Sequence, residues 1–248
     1  MDINQTTLQE VFRNFRKSFA DGAGQFKPGT DLAMICQDVP SAGRSNLYPW
    51  LDATYRGWRL WEGAREKKEA SALKYELKNR SFENTVFLKT EDLEDDAAAA
   101  IPMYSELVKG MGIGWEELKY QWQLQGLLDN VACFDSKAYF GTHTYGEGKV
   151  KTSVVNGTDQ AFSADTFKAA LSAAADWKWA DGIPTRTQFT HVFFGPGKYA
   201  DVFNVVGKQF ITAGESNPWY NKVKMVECDL FTGGYSAKVI LADCGKQI

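Results

Sequence analysis

Histidine is scarce: the 248 residues contain two, His143 and His191, 48 positions apart. No HExxH or HxH spacing exists, so a metal site would need carboxylates recruited from elsewhere. The four cysteines, Cys36, Cys133, Cys228 and Cys244, form no CxxC pair. They read as free thiols of a reducing compartment rather than a disulfide frame or a zinc site. A basic excess is also missing, since 28 Lys and Arg face 31 Asp and Glu for a net charge of −3. That argues against a general nucleic-acid binder. Apolar runs such as His191-Val192-Phe193-Phe194 fall far below the roughly 18 residues of a membrane span. The opening Met1-Asp2-Ile3-Asn4-Gln5 lacks the basic and apolar regions of a secretory signal, and none is expected there.

What is abundant is ordinary globular substance, 44% hydrophobic and 24% charged, with an aromatic share of 14% that includes eight Trp. Much aromatic surface beside little recognisable catalytic chemistry points to packing or interfaces. The length suits one large domain or two small ones.

Leu8, Val11, Phe12, Phe15 and Phe19 recur on one face of a 3.6-residue period and predict an amphipathic helix ending near Asp21-Gly22-Ala23-Gly24. Thr7-Leu8-Gln9-Glu10 has the capping-box pattern for its start. Such a helix needs a partner surface, either its own core or a neighbouring subunit. Leu32 to Cys36 reads as a short strand. Residues 56–96 are densely charged, with 9 basic and 10 acidic side chains in 41 positions. Within them, Ala72 to Lys78 and Phe82 to Lys89 read as two strands of a hairpin turning at Asn79-Arg80-Ser81. A two-stranded hairpin is marginal alone, so it lies either on the parent domain or over a neighbouring subunit.

Thr90 to Asp96 holds five acids, which complement a helix start; a metal-binding carboxylate cluster is the weaker alternative, lacking hard-cation loop spacing. Helical periodicity follows to Val131, interrupted at Gly110, Gly112 and Gly114, and predicts two helices or one sharply kinked helix. Ser163 is a candidate N-cap for a helix through about Asp176. Thr190 to Phe194 reads as a buried strand, Lys198 to Val206 as a helix, and Val223 to Cys228 and Ala237 to Leu241 as late strands. Without a regular βαβ repeat, the class is α+β.

Catalytic signatures fail on inspection. Gly110-Met111-Gly112-Ile113-Gly114-Trp115 ends in Trp where a dinucleotide loop needs Gly or Ala, and no strand precedes it. Gly195-Pro196-Gly197-Lys198-Tyr199 lacks the upstream glycine and the Ser or Thr of a phosphate loop. No GxSxG occurs, and both histidines read as structural. A Cys–His nucleophile pair stays formally open. No catalytic, cofactor-binding or metal-binding residue is therefore assigned.

Three blocks then carry a resemblance. They are Tyr48-Pro49-Trp50-Leu51 with Arg56-Gly57-Trp58-Arg59-Leu60-Trp61; Tyr75 to Val86, "YELKNRSFENTV", running on to Leu93-Glu94-Asp95-Asp96; and Cys133 to His143, "CFDSKAYFGTH". In order and spacing the chain resembles the major head subunit of Mu-like phages and prophages, the T-protein family, although Gly141 and Thr144 depart from its acidic-flanked pattern. The resemblance implies the HK-type tailed-phage major capsid fold. Residues 1–40 would be the N-terminal arm. Residues 41–150 would be the extended loop (56–90) and the peripheral domain with its spine helix. Residues 151–225 would be the axial domain, and 226–248 strands returning to the peripheral domain, where family members usually run on through a further strand and tail.

The implied function is a self-assembling icosahedral shell subunit enclosing DNA. An encapsulin-like nanocompartment shell and an enzyme with an unrecognised site are the alternatives. Implied partners are further copies in hexamers and pentamers, scaffold, protease and portal proteins, and packaged DNA through non-specific contacts, with no membrane and no cofactor. The expected location is the virion capsid, assembled in the bacterial host cytoplasm. Phe12, Phe15, Trp58, Trp61, Lys74, Lys78 and Arg80 are the expected inter-subunit contacts, with Trp58 and Trp61 at least half buried.

Overall fold

The computed structural model describes residues 5–51, 63, 72–145, 152–179, 182–211 and 214–244. The chain divides into two compact units: residues 1–29 with 80–124, and residues 30–79 with 125–248.

The first unit is built on helices. Helix α1 spans Gln5–Ala23, and helix α2 spans Thr90–Leu128. Thr7 lies inside α1 rather than at its cap. The buried residues Val11 and Phe15 of α1 meet Ala100 and Tyr104 of α2, with Val86, Leu88, Ile101 and Val108 packed around them. Of the two partner surfaces open to the helix, its apolar face takes the chain's own core.

α2 is one helix throughout its length, so of the two expected forms, two helices or one sharply kinked helix, the first is set aside. Pro102 removes one of its hydrogen bonds, and each interior glycine costs about 1 kcal/mol relative to alanine. Packing outweighs both. At Gly112 the missing side chain is what admits α1: a Cβ there would lie 2.2 Å from the Phe19 carbonyl oxygen, and one on Gly22 would lie 2.1 Å from that of Lys109. The backbones touch where both helices lack a side chain.

The second unit carries the sheets. Strand β1, Ser45–Leu51, pairs antiparallel with β2, Ala72–Lys78, from Ser45↔Lys78 to Leu51↔Ala72. The hairpin expected between 72–78 and 82–89 is therefore corrected: β2 pairs backwards along the chain, and 82–89 forms no strand. The alternation there has another cause. Val86 and Leu88 turn inward onto the α1–α2 core while Phe87 points out. The strand expected at 32–36 is a single turn instead. The Asp31 carboxylate accepts from the Ala33 amide at 3.0 Å, and the Ile35 and Cys36 amides bond the Leu32 carbonyl, the local competition typical of Asp.

β3 (Thr142–Tyr145) pairs antiparallel with β4 (Thr152–Val155). Helix α3, Ala164–Asp176, begins at the expected N-cap, with Ser163 and Thr166 exchanging hydrogen bonds in a capping box. β5 (His191–Phe194) is the centre of a three-stranded sheet, parallel to β6 (Lys224–Glu227) and antiparallel to β7 (Val239–Ala242). Residues on both sides of the expected 225/226 boundary thus share one sheet. The short helix α4, Tyr199–Val202, runs into a π turn, Phe203–Gly207. Asn217 holds that turn: its amide donates to the Val205 and Lys208 carbonyls at 2.9 and 2.8 Å. Phe167, Val192, Phe194, Val202, Val205, Val206 and Val223 form the core between α3, the sheet and this turn.

Candidate functional site

The functional question turns on surfaces, and the expected contact residues scatter among them. Phe12 is 56% exposed on α1, whereas Phe15 is 7% exposed and is spent on its own chain's core. Lys78 is exposed beside Ser45, and Lys74 stands opposite Pro49 in the β1–β2 register. Trp58 and Trp61 lie outside the described residues, as does their expected burial.

Arg80 is anchored within the first unit. Its guanidinium sits 4.9 Å from the centre of the Trp122 ring, and Phe82 meets Trp122 and Trp115 edge-on at 5.4 and 6.5 Å. Lys119 lies 5.9 Å from the Trp115 centroid. Edge-to-face and cation–π geometry holds these groups together, yet Phe82, Trp115 and Trp122 are all exposed. Sequence reasoning missed this cluster. The signal available was the seven-residue spacing of Trp115 and Trp122, which puts both on one helix face.

The β1–β2 ribbon has an unusual surface. Leu47 stands opposite Glu76 and Leu77 opposite Asn46, so the two leucines lie on opposite faces. Both are exposed, at 55% and 45%. Asn79 ties the ribbon base through its side-chain amide to Ser41 Oγ and the Gly43 carbonyl.

The motif Cys133 to His143 folds into a hydrogen-bonded clasp. His143 is buried, with Nδ1 2.9 Å from Asp135 Oδ2 and Nε2 2.8 Å from the Tyr139 carbonyl. Asn156 bonds the same carbonyl and the Gly141 amide, and Asn130 bonds both backbone groups of Phe140. His191 bonds Thr190 Oγ1 at 2.9 Å. Both histidines are thus held structurally. Burial pushes the thiols of Cys36, Cys133 and Cys244 up, which makes thiolate scarce at these three positions at neutral pH. Among the described residues no three His, Cys, Asp or Glu side chains converge on a metal position, and no helix is long and apolar enough to cross a membrane.

Two carboxylates of this unit give a pH prediction. Burial pushes the Asp135 carboxyl up, but the Lys137 amide and the His143 imidazole more than offset it and leave it below the usual range. The Tyr235 hydroxyl, the Gln125 amide and Lys238 likewise lower Asp129. A carboxyl lowered in the folded state adds stability above its unfolded pKa of about 4, and this is lost as pH falls through the folded value. Urea unfolding between pH 6 and 3 should show falling stability, with a flatter profile in Asp135→Asn. An unchanged slope in that variant would remove Asp135 from the explanation.

The model of one protein family, Mu-like prophage major head subunit gpT, matches residues 8–162. The major capsid protein of Escherichia phage Mu is 26% identical over 141 residues, 56% of this chain and 45% of that protein. The Mu-like prophage FluMu major head subunit of Haemophilus influenzae is 29% identical over 163 residues, 64% of this chain and 51% of that protein. The chain thus spans about half the length of these curated relatives. Among solved structures, a chain of the bacteriophage JBD30 capsid superimposes with a TM-score of 0.60 at 18% identity, covering 83% of this chain and 92% of that one. At that identity the likeness speaks for the fold: a phage capsid fold of mixed helix and sheet.

Proposed function

Because the chain belongs to the Mu-like prophage major head subunit family, we propose that it is a shell-building subunit whose copies assemble into an icosahedral head around DNA. Its work is structural and rests on no catalytic residue. Further copies, arranged in hexamers and pentamers, are its principal partners. Scaffold, protease and portal proteins complete the set, the packaged DNA is touched non-specifically, and assembly takes place in the host cytoplasm. Residues 1–40 serve as the arm, 56–90 as the extended loop, α2 as the spine, and residues from about 150 to 225 as the axial part.

The observation that carries this reading is the β1–β2 ribbon. It exposes a leucine on each face at its base and alternates Lys74, Glu76 and Lys78 along β2. Two strands alone are marginal in water, and a ribbon with an exposed leucine on each face gains from a covering surface. The near-balanced charge of 56–96 lets copies approach without net repulsion. Each exposed pair contributes only about 0–1 kcal/mol, but a shell repeats every contact.

The double reversal Lys74→Glu with Lys78→Glu should abolish or strongly impair shell formation seen by negative-stain microscopy, while the melting temperature of the unassembled chain stays within about 2 °C. Assembly should also weaken as salt rises, because screening acts over about 8–10 Å. Reversals that spare assembly, or that impair it only by unfolding the unassembled chain, would overturn the role given to the ribbon.

A further inference from the structure

α2 has a second face that α1 leaves uncovered. Met103 and Leu107 are exposed at 53% and 52%. Gly110 and Gly114 follow on the same side, both exposed, and a Cβ built on either meets nothing within 4 Å. At 3.6 residues per turn these four positions fall within an arc of about 60°. Glu106 and Glu117, both exposed, run along one edge of that arc. Gly112, two residues from each of those glycines, shows what an absent side chain does on this helix: it admits another helix backbone at contact distance. Gly110 and Gly114 weaken the helix in the same way with nothing of their own chain to receive.

α1 carries the complementary surface. Phe12, Arg13 and Arg16 are all exposed on its outer side. Among the described residues neither arginine has an ion pair, and neither do Glu106 and Glu117. One edge is apolar and acidic, the other aromatic and basic.

We propose that the outer stripe of α2, Met103, Leu107, Gly110 and Gly114 edged by Glu106 and Glu117, seats the Phe12–Arg13–Arg16 edge of α1 from a second copy of this chain. The contact is head-to-tail, so each copy offers one edge and receives another, as a closed ring requires. The inference rests on the shell reading and adds to it a defined contact. The opposed charges orient the approach, the apolar stripe supplies the buried area, and the two glycines let the incoming helix settle close.

The test uses the chain with both helices intact, with self-association measured by sedimentation velocity. Reversing the arm (Arg13→Glu with Arg16→Glu) or the stripe (Glu106→Arg with Glu117→Arg) should each raise the concentration needed for association at least about tenfold. Mixing the two variants one to one should restore it to within about threefold of the unsubstituted chain, because every arm then finds a stripe of opposite sign. As an independent check, Gly110→Ala with Gly114→Ala should raise the melting temperature yet weaken association. Reversals that leave association unchanged, or a mixture that fails to recover, overturn this contact and leave the shell reading standing. A chain that stays monomeric at all concentrations overturns both.

Discussion

Gly112→Ala should destabilise the first unit by about 2–3 kcal/mol, while the same substitution at Gly110 should stabilise it by up to about 1 kcal/mol. The opposite signs, two residues apart on one helix, follow from what stands above each position. A Cβ on Gly112 would lie 2.2 Å from the Phe19 carbonyl oxygen and 2.9 Å from the Ala23 amide nitrogen, both backbone atoms. Neither can rotate away as a side-chain tip could, so α1 must shift or lift. Overpacking of this kind costs about 1–3 kcal/mol, sometimes more, and lifting α1 also uncovers Val11, Phe15, Ala100 and Tyr104. At Gly110 the new methyl meets nothing, and only the gain in helix propensity remains. Gly22→Ala should behave like Gly112→Ala, since its Cβ would meet the Lys109 carbonyl oxygen at 2.1 Å. Urea unfolding read by circular dichroism measures the sizes. Amide exchange across residues 5–23 shows whether α1 has come away. Equal effects of one sign at Gly110 and Gly112 would refute the close crossing.

These glycines also mark where sequence reading ran out. Gly110, Gly112 and Gly114 look alike in a sequence, and local propensity counts all three as breakers. Tertiary contact makes one of them a crossing point and leaves two open, which no periodicity contains. The β1–β2 pairing failed for a related reason. The alternation at Phe82 to Lys89 is real, but a period of two reports which side chains turn inward, not whether a strand or a pair of helices receives them. Features set by local chemistry were legible: Ser163 as the α3 cap, the buried strand at 191–194 and the late strands at 224–227 and 239–242 all stand within two residues of expectation. The family was legible from three blocks taken together in order and spacing, and the third of them, Cys133 to His143, folds into a clasp that joins Asp135, Tyr139 and His143. The Arg80–Phe82–Trp115–Trp122 cluster was not, because it joins residues up to 42 positions apart.

The second large effect separates two phenylalanines that a helical wheel places side by side. Phe12 and Phe15 belong to one apolar stripe, and either could face a neighbour. α1 settles closer to the Val11–Phe15 side, which leaves Phe15 buried and Phe12 more than half exposed. Truncating Phe15 to alanine removes a ring packed among Val11, Ala100 and Tyr104 and should cost about 3–5 kcal/mol, a large share of the stability of a domain this size. Truncating Phe12 gives up a ring that water already reaches, and the folded chain should lose no more than about 0.5 kcal/mol. Association should respond in the reverse sense. Phe12→Ala should weaken it several-fold with the fold intact, whereas Phe15→Ala should act only through the fraction of chains unfolded and recover under stabilising osmolyte. Chemical denaturation and sedimentation on the same preparations resolve the two quantities. Equal losses of stability from both truncations would show that α1 is rotated from the seat described, and the basic edge built on Phe12, Arg13 and Arg16 would turn with it.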